Sequence, residues 1–182
     1  METRIHILGA SGSGTTTLGA AIADRLGVEH LDSDNYYWKS TPVRFSEKHP
    51  VKDRLSMIET DIANARSWVL SGSLCSWGDS LIDRFTHVIF LQTPWEIRKP
   101  RLLIREEQRY EGIDSEHRAD QQTIGKAFLE WAERYETAGL EQRSLKSHEQ
   151  WLSTLPDPTI LIRLQGDQPI DSLVDAVIES LD

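Results

Sequence analysis

A glycine-rich segment near the start of the chain restricts the possible folds more than any other feature. Residues 9–16 fit the spacing G-x-x-x-x-G-x-[ST], after the β-prone run Arg4–Leu8 and before Thr15–Leu26, whose apolar residues recur at helical spacing. Glycines between a strand and a helix let successive N–H groups turn towards one anion, and the helix N-terminus adds partial positive charge. The segment therefore predicts a phosphate-binding loop, and its flanking strand and helix disfavour the alternative of a plain capped glycine turn. The predicted loop consists of Gly9, Ala10, Ser11, Gly12, Ser13, Gly14, Thr15 and Thr16.

The rest of the chain alternates between strand and helix patterns. After the first strand and helix, strands are predicted at Val28–Leu31, Trp68–Leu70, His87–Leu91 and Thr159–Leu164. Helical patterns are predicted at 51–65, from Pro94, at 121–135, on to about 155 after a break near Gly139, and from Pro169. Five strands alternating with helices predict an α/β fold with a parallel sheet and helices on both faces. Without repeats or linker-like stretches, residues 1–182 are expected to form a single domain.

The composition argues against several classes of protein, including nucleic-acid-binding and membrane-spanning proteins. The 182 residues carry 20 Lys and Arg against 29 Asp and Glu, a formal net charge of −9, which disfavours nucleic acid and anionic membranes as partners. No apolar run reaches the roughly 18 residues of a membrane span. The single cysteine, Cys75, excludes an intramolecular disulfide. We therefore expect a cytoplasmic protein without membrane or nucleic-acid partners, either monomeric or homodimeric, with any phosphate site confined to a local patch.

The phosphate loop departs from the usual pattern at one position. Thr15 stands where a lysine normally reaches the β- and γ-phosphates, and a hydroxyl cannot neutralise charge on a transferred phosphoryl group. Thr16 still occupies the position from which a hydroxyl ligates Mg²⁺. Two alternatives remain open: another cation replaces the lysine, or the chain is a nucleotide-binding regulatory protein with little or no phosphotransfer.

The chain resembles the small-molecule and nucleotide kinases of the P-loop superfamily, which include adenylate, shikimate and gluconate kinases. It is most similar to bacterial adenylate-kinase-like proteins that share its Thr-Thr loop, the His-Leu-Asp of residues 30–32 and the Trp-Val-Leu-Ser-Gly-Ser of residues 68–73. The resemblance implies the strand order 2-3-1-4-5 and a lid and an acceptor-binding region at about 95–120 and 35–65. It also implies that ATP and Mg²⁺ serve transfer of the γ-phosphoryl group to a nucleoside monophosphate or a small hydroxyl acceptor.

Two aspartates follow the second strand, at the edge where ligands bind in open parallel sheets. The arrangement resembles shikimate kinase, in which the first aspartate of a similar Asp-Ser-Asp segment helps to hold Mg²⁺ and the second binds an acceptor hydroxyl. The resemblance thus assigns the metal to Asp32, together with Thr16, and the acceptor to Asp34. Capping or turn aspartates are the alternative. The aromatic residues 36–38 either stack on an acceptor ring or pack under a substrate-binding region.

Four arginines recur at intervals of three and four after Pro94: Arg98, Arg101, Arg105 and Arg109. On a helix they share one face. In the resembled kinases, lid arginines from this region close over the phosphates, and Arg101 and Arg105 are the candidates to replace the missing lysine. An exposed helix with ordinary surface ion pairs is the alternative.

Five further features receive structural interpretations or stay open. Arg143 could contact phosphate or adenine, but a surface arginine is the favoured interpretation. Cys75 is interpreted as a small buried side chain rather than a reactive thiol, and His148 as a packing residue rather than a catalytic one. Residues 71–73 form either part of the site or a strand exit built from small residues. Pro100 predicts a kink or a later helix start.

Overall fold

The computed structural model describes residues 2–181 and contains one five-stranded parallel sheet. The strands lie in the order β2-β3-β1-β4-β5, which confirms the predicted α/β class and strand order. The strands are β1 (Arg4–Gly9), β2 (Glu29–Asp32), β3 (Trp68–Ser71), β4 (His87–Gln92) and β5 (Ile160–Gln165). The helices are α1 (Thr15–Leu26), α2 (Ser33–Tyr37), α3 (Val51–Ala63), α4 (Trp95–Tyr110), α5 (Arg118–Glu133), α6 (Leu145–Leu152) and α7 (Ile170–Glu179). Short 3-10 turns lie at Asp79–Arg84 and Arg134–Glu136.

The three inner strands, β1, β3 and β4, are buried on both faces, which explains their apolar runs, whereas the edge strand β5 is largely exposed. Ile5 and Ile7 of β1 pack on one face with apolar residues of α1 and α7. Leu8 of the same strand and Phe90 of β4 belong to the core of the opposite face, which includes Trp151 of α6. The inner strands therefore sit between two helical layers, and their carboxyl ends open on one edge.

The helix ends follow the local sequence. The first helix, α1, begins after Gly14 and ends at Gly27, both with positive φ angles, of 102° and 65°. The fourth, α4, begins at Trp95 and runs through Pro100, so the later start that this proline suggested is wrong. No helix among residues 2–181 is long and apolar enough to cross a membrane.

Arg98 lies inside the protein rather than on an anion-facing stripe, which corrects its predicted place. Its side chain is fully buried in the first turn of α4. The guanidinium donates to the carbonyl oxygens of Thr93, at 2.9 Å, and Ser11, at 3.1 Å, and forms an ion pair with Glu136. One side chain thus ties the end of β4 and the turn at Arg134–Glu136 to the phosphate loop.

Replacing this arginine is expected to unfold the protein more easily. The Arg98→Met variant leaves two carbonyls and the Glu136 carboxylate without their donor, so we expect a loss of about 3 kcal/mol in the free energy of unfolding. Urea denaturation measures the difference. Lys99→Ala, at the exposed neighbouring position, is the control, with an expected change within about 0.5 kcal/mol. An unchanged midpoint for Arg98→Met would contradict the structural role.

Candidate active site

A cavity of about 650 Å³ opens at the carboxyl ends of the strands. Its floor is the phosphate loop, and the end of β2 with the start of α2 forms one side. Residues of α4, α5 and the segment 141–143 form the other sides. The edge predicted to carry the site therefore contains a cleft large enough for a small-molecule ligand.

The phosphate loop has the backbone that its glycines predict. Gly12 and Gly14 have positive φ angles, of 81° and 102°. A Cβ atom on Gly12 would lie 2.9 Å from Cγ of Leu102 in α4, so a side chain there would push the loop off the helix. Within residues 2–181 the amides of Gly12 and Gly14 donate to no protein acceptor, and the first turn of α1 adds further free N–H groups. The loop presents its N–H groups as an anion site requires.

Thr16 and Asp32 meet at the edge of the cavity. The Thr16 hydroxyl donates to Oδ2 of Asp32 at 2.9 Å, while Oδ1 of the same carboxylate accepts from the backbone N–H of Asp34 at 2.9 Å. Asp32 therefore caps α2 and also faces the loop, so the capping and metal-binding interpretations are compatible. A hydroxyl and a carboxylate are the hard oxygen donors that Mg²⁺ prefers, and the residues fit this ion.

Asp34 faces the cavity from the first turn of α2. The residue is exposed at the cavity, but desolvation of its carboxylate by the surrounding protein, reinforced by the charge of Asp32, raises the pKa of Asp34 above its ordinary value. The charges of Arg143, Arg105 and Arg109 oppose the rise without cancelling it. A carboxylate with a raised pKa is better suited to accept a proton from a bound hydroxyl.

Arg105 reaches the cavity as the sequence predicted. Its Nε atom is buried and has no hydrogen-bond partner among residues 2–181. Burial, and then the charge of Arg109, lowers the pKa of Arg105, against the effects of Glu106 and Asp34. Arg109 forms an ion pair with Glu106 and lies 4.1 Å from the ring centre of Phe45. Two adjacent cations of the predicted stripe therefore line the cavity.

Arg101 lies elsewhere, and this differs from the catalytic position predicted for it. Its guanidinium is 3.4 Å from the carbonyl oxygens of Gly12 and Ser13 and 3.3 Å from that of Gly166. It does not line the cavity. The helical spacing placed Arg101 correctly beside the loop, but on the outer side, against carbonyl oxygens.

Arg143 belongs to the site, whereas the sequence favoured a surface position for it over contact with phosphate. It is half-buried in the cavity wall rather than on the surface, its Nη2 donates to the Ser11 hydroxyl at 2.8 Å, and its guanidinium lies 4.8 Å from the Trp131 ring centre. Its Nε atom is also buried without a partner in the described chain. The only local signal is the capping box of Ser144 and Ser147, which fixes the start of α6 but says nothing of the phosphate loop.

Aromatic side chains form the wall farther from the loop. Tyr37, Trp38 and Phe45 line the cavity, and Trp38 makes edge contacts with the other two rings. Lys48 lies 5.4 Å from the Tyr37 ring centre and 5.7 Å from that of Trp38. Tyr36 is buried and donates to Asp61 instead. The segment 36–38 thus divides between the core and the ligand wall.

The exit of β3 completes the cavity. Gly72 has a φ angle of 96°, and a Cβ atom there would lie 2.0 Å from the Ser33 hydroxyl, so only glycine fits. Ser73 and Cys75 line the cavity beyond it. Cys75 is half-buried rather than fully buried: it packs against the core of one sheet face and also lines this wall. Gly72 and Ser73 therefore line the site, whereas the Ser71 side chain is buried behind it and lies 3.0 Å from Nε2 of His30.

Comparison with known proteins identifies the family of this chain. It is 42% identical over 181 residues to the uncharacterized protein YqaC of Bacillus subtilis, covering 100% of this chain and 98% of that protein. This chain belongs to the YqaC family. No family model matches it. A probable gluconokinase of Schizosaccharomyces pombe shares 34% identity over 47 residues, 26% of this chain and 24% of that protein.

Solved structures confirm the fold of this YqaC family member. A shikimate kinase from Aquifex aeolicus superposes with a TM-score of 0.54 at 17% identity, over 98% of this chain and 96% of that one. A sugar kinase from Janibacter superposes with a TM-score of 0.53 at 16% identity, over 100% and 95% of the two chains. The chain thus has a P-loop kinase fold related to shikimate and gluconate kinases, as the sequence resemblance implied.

The raised pKa of Asp34 predicts how a neutral substitute affects stability. A carboxyl group whose pKa is higher in the folded state destabilises that state once it ionises, so the cost is present at pH 7 and vanishes below about pH 4. Asp34→Asn is therefore expected to raise the melting temperature at pH 7 and to change it less as the pH approaches 4. Thermal denaturation across this range measures the effect, with the exposed Asp83→Asn as control. A lower melting temperature for Asp34→Asn at pH 7 would contradict it.

Proposed function

We propose that the protein is an ATP-dependent kinase that transfers the γ-phosphoryl group to a hydroxyl group of a small acceptor. The observation that carries the proposal is the meeting of three groups in one cavity. The phosphate loop with Thr16 and Asp32 supplies an anion and metal site, Asp34 supplies a carboxylate, and Arg105 and Arg143 supply positive charge. Phosphoryl transfer depends mainly on such positioning and charge stabilisation.

Asp34 favours a hydroxyl acceptor over a phosphate acceptor. Its carboxylate lies beside Asp32, and the repulsion between them already contributes to the raised pKa. A phosphate acceptor would add negative charge here, whereas a neutral hydroxyl would donate its hydrogen bond, and finally its proton, to the carboxylate.

A nucleoside monophosphate is the second candidate acceptor, because the far wall contains aromatic rings. Tyr37, Trp38 and Phe45 offer faces and edges to a planar ring, and Lys48 adds a cation beside them. These four residues lie within 35–65, which we propose as the acceptor-binding region. The connection between α4 and α5, within about 95–120, is the proposed lid.

Arg105 and Arg143 are proposed to supply the charge that Thr15 lacks. Arg143 contacts the loop directly through the Ser11 hydroxyl, and each arginine has a buried Nε without a partner in the described chain. Thr16 and Asp32 would hold Mg²⁺, which would neutralise part of the phosphate charge when bound. We therefore assign charge stabilisation to Arg105 and Arg143 rather than to Arg101.

The first experiment is a coupled ADP-release assay with Mg²⁺-ATP and a panel of small polyols, hydroxy acids and nucleoside monophosphates. Calorimetric titration with a non-hydrolysable ATP analogue accompanies it. ADP release that depends on a hydroxyl acceptor supports the proposal, and release with nucleoside monophosphates alone supports the second candidate. Tight nucleotide binding without turnover on any acceptor would instead support a regulatory binding protein.

Removing either proposed cation should affect turnover more than nucleotide binding. Arg105→Ala and Arg143→Ala are expected to lower kcat by about 10²–10³-fold, because each removes charge stabilisation from the transition state. The dissociation constant of the ATP analogue should change much less, since the loop N–H groups remain. Steady-state kinetics and calorimetry on the same preparations measure both quantities.

Lys146→Ala is the matched control for these variants. It removes an exposed cation three residues beyond Arg143, so general loss of positive charge would show there as well. Full turnover in Arg143→Ala together with loss of turnover in Arg101→Ala would contradict this assignment and indicate that Arg101 supplies the charge stabilisation.

A further inference from the structure

A chain of hydrogen bonds leads from the cavity wall into the core. The Ser73 hydroxyl lies 3.1 Å from Nε2 of His148, and Nδ1 of the same imidazole lies 2.7 Å from the Tyr135 hydroxyl. Ser73 lines the cavity, whereas His148 is fully buried in α6 and Tyr135 is nearly so in the turn before it. Two hydrogen bonds thus connect three separate segments of the chain, and the proposed phosphoryl transfer assigns no role to them.

The imidazole in this chain carries a single proton. Burial, reinforced by the nearby charge of Arg143, lowers the pKa of His148 to about 3, so the ring is neutral at pH 7. Burial also raises the pKa of Tyr135, so the phenol keeps its proton. A neutral imidazole has one N–H donor and one acceptor nitrogen, and the hydrogen bonds on its two sides therefore have opposite directions.

Counting donors separates the two possible directions. If Nδ1 carried the proton, it would donate to Tyr135, and the buried phenol proton would have no acceptor within residues 2–181. An unsatisfied buried donor costs about 1–3 kcal/mol. If Nε2 carries the proton, Tyr135 donates to Nδ1 and His148 donates to Ser73, so both buried donors are satisfied. The second direction leaves the Ser73 proton free to point elsewhere.

The free proton of Ser73 has a weak protein acceptor and an open cavity in front of it. The Cys75 thiol is the neighbouring group at this wall, and the Ser73 hydroxyl opposes the rise in the thiol pKa that burial causes. Sulfur is a poor acceptor, so an oxygen of a bound molecule would replace it readily. The exit of β3 also packs against Ser33 at the start of α2, the helix that carries Asp34.

We infer that Tyr135 and His148 are positioning residues that fix the Ser73 hydroxyl as a hydrogen-bond donor into the cavity, directed at an oxygen of the phosphoryl acceptor. Asp34 accepts hydrogen bonds, so it would bind a hydroxyl group of the phosphoryl acceptor, while Ser73 would donate to an oxygen of the same molecule. The inference rests on the proposed function for the identity of the ligand, but the direction of the hydrogen bonds is independent of it.

Imidazole NMR of the whole protein tests that direction without any assay. With ¹⁵N-labelled histidine, long-range ¹H–¹⁵N correlations show which nitrogen carries the proton, and the signal missing in His148→Gln assigns His148 among the 6 histidines. We expect a neutral ring protonated at Nε2 at pH 7. In Tyr135→Phe, Nδ1 loses its donor and this preference should weaken. Protonation at Nδ1 in the wild type would overturn the inference.

Kinetics with the acceptor selected by the panel tests the contact itself. Ser73→Ala and His148→Leu are expected to raise the acceptor KM by about five- to tenfold, the effect of one hydrogen bond, with kcat and ATP-analogue affinity nearly unchanged. His148→Gln should restore the wild-type KM, because its amide offers one acceptor and one donor. A merely structural role for His148 predicts no such rescue.

The outcomes separate the two levels of the proposal. An unchanged acceptor KM in Ser73→Ala, with turnover intact, would overturn the contact while leaving the kinase assignment in place. No turnover with any acceptor would remove the proposed function and the acceptor contact together, and the imidazole spectrum would still decide the direction of the hydrogen bonds.

Discussion

The buried guanidinium of Arg98 is the interaction on which the rest of the site depends. A charge without access to water is stable only when its donors are satisfied, and Arg98 satisfies them with backbone carbonyls and Glu136. One of those carbonyls belongs to Ser11 in the phosphate loop. The loop, the end of β4 and the turn at Arg134–Glu136 are therefore held together by one buried charge. Because this turn precedes the segment that carries Arg143, the same interaction also helps to place a cation of the cavity.

The cavity concentrates positive charge in a protein whose net charge is negative, as the proposed anionic ligand requires. The chain has a net charge of −9, yet Arg105, Arg109 and Arg143 converge beside the phosphate loop. Their mutual repulsion and burial lower the pKa of Arg105, which means that their charges are only partly compensated by protein carboxylates. A bound polyphosphate would relieve that repulsion. Local geometry, rather than overall charge, thus determines what this surface attracts.

The sequence predicted those features that depend on local patterns. Strands buried on both faces appear as apolar runs, and glycines at Gly12 and Gly14 mark backbone that other residues cannot adopt, so the sheet and the loop could be predicted. Helical spacing showed that Arg101 and Arg105 share a face, but it could not show that one faces carbonyl oxygens and the other the cavity. The sequence could not favour the cavity position of Arg143 over a surface position, because the contact with Ser11 spans 132 residues and depends on the tertiary fold.

A lysine in the loop would both bind phosphate and neutralise charge during phosphoryl transfer. With Thr15 at that position, the proposed function assigns these two tasks to different segments of the chain. The loop amides form the proposed phosphate site, while the cations come from α4 and from the segment 141–143. Nucleotide binding is then expected to need only the loop, whereas transfer needs the flanking segments in place as well. Under the proposed function, the chain would bind a nucleotide and stay inactive until an acceptor is in place beside those segments. The kinase and the regulatory binding protein therefore differ in the position of two arginines, and not in the loop that both would use.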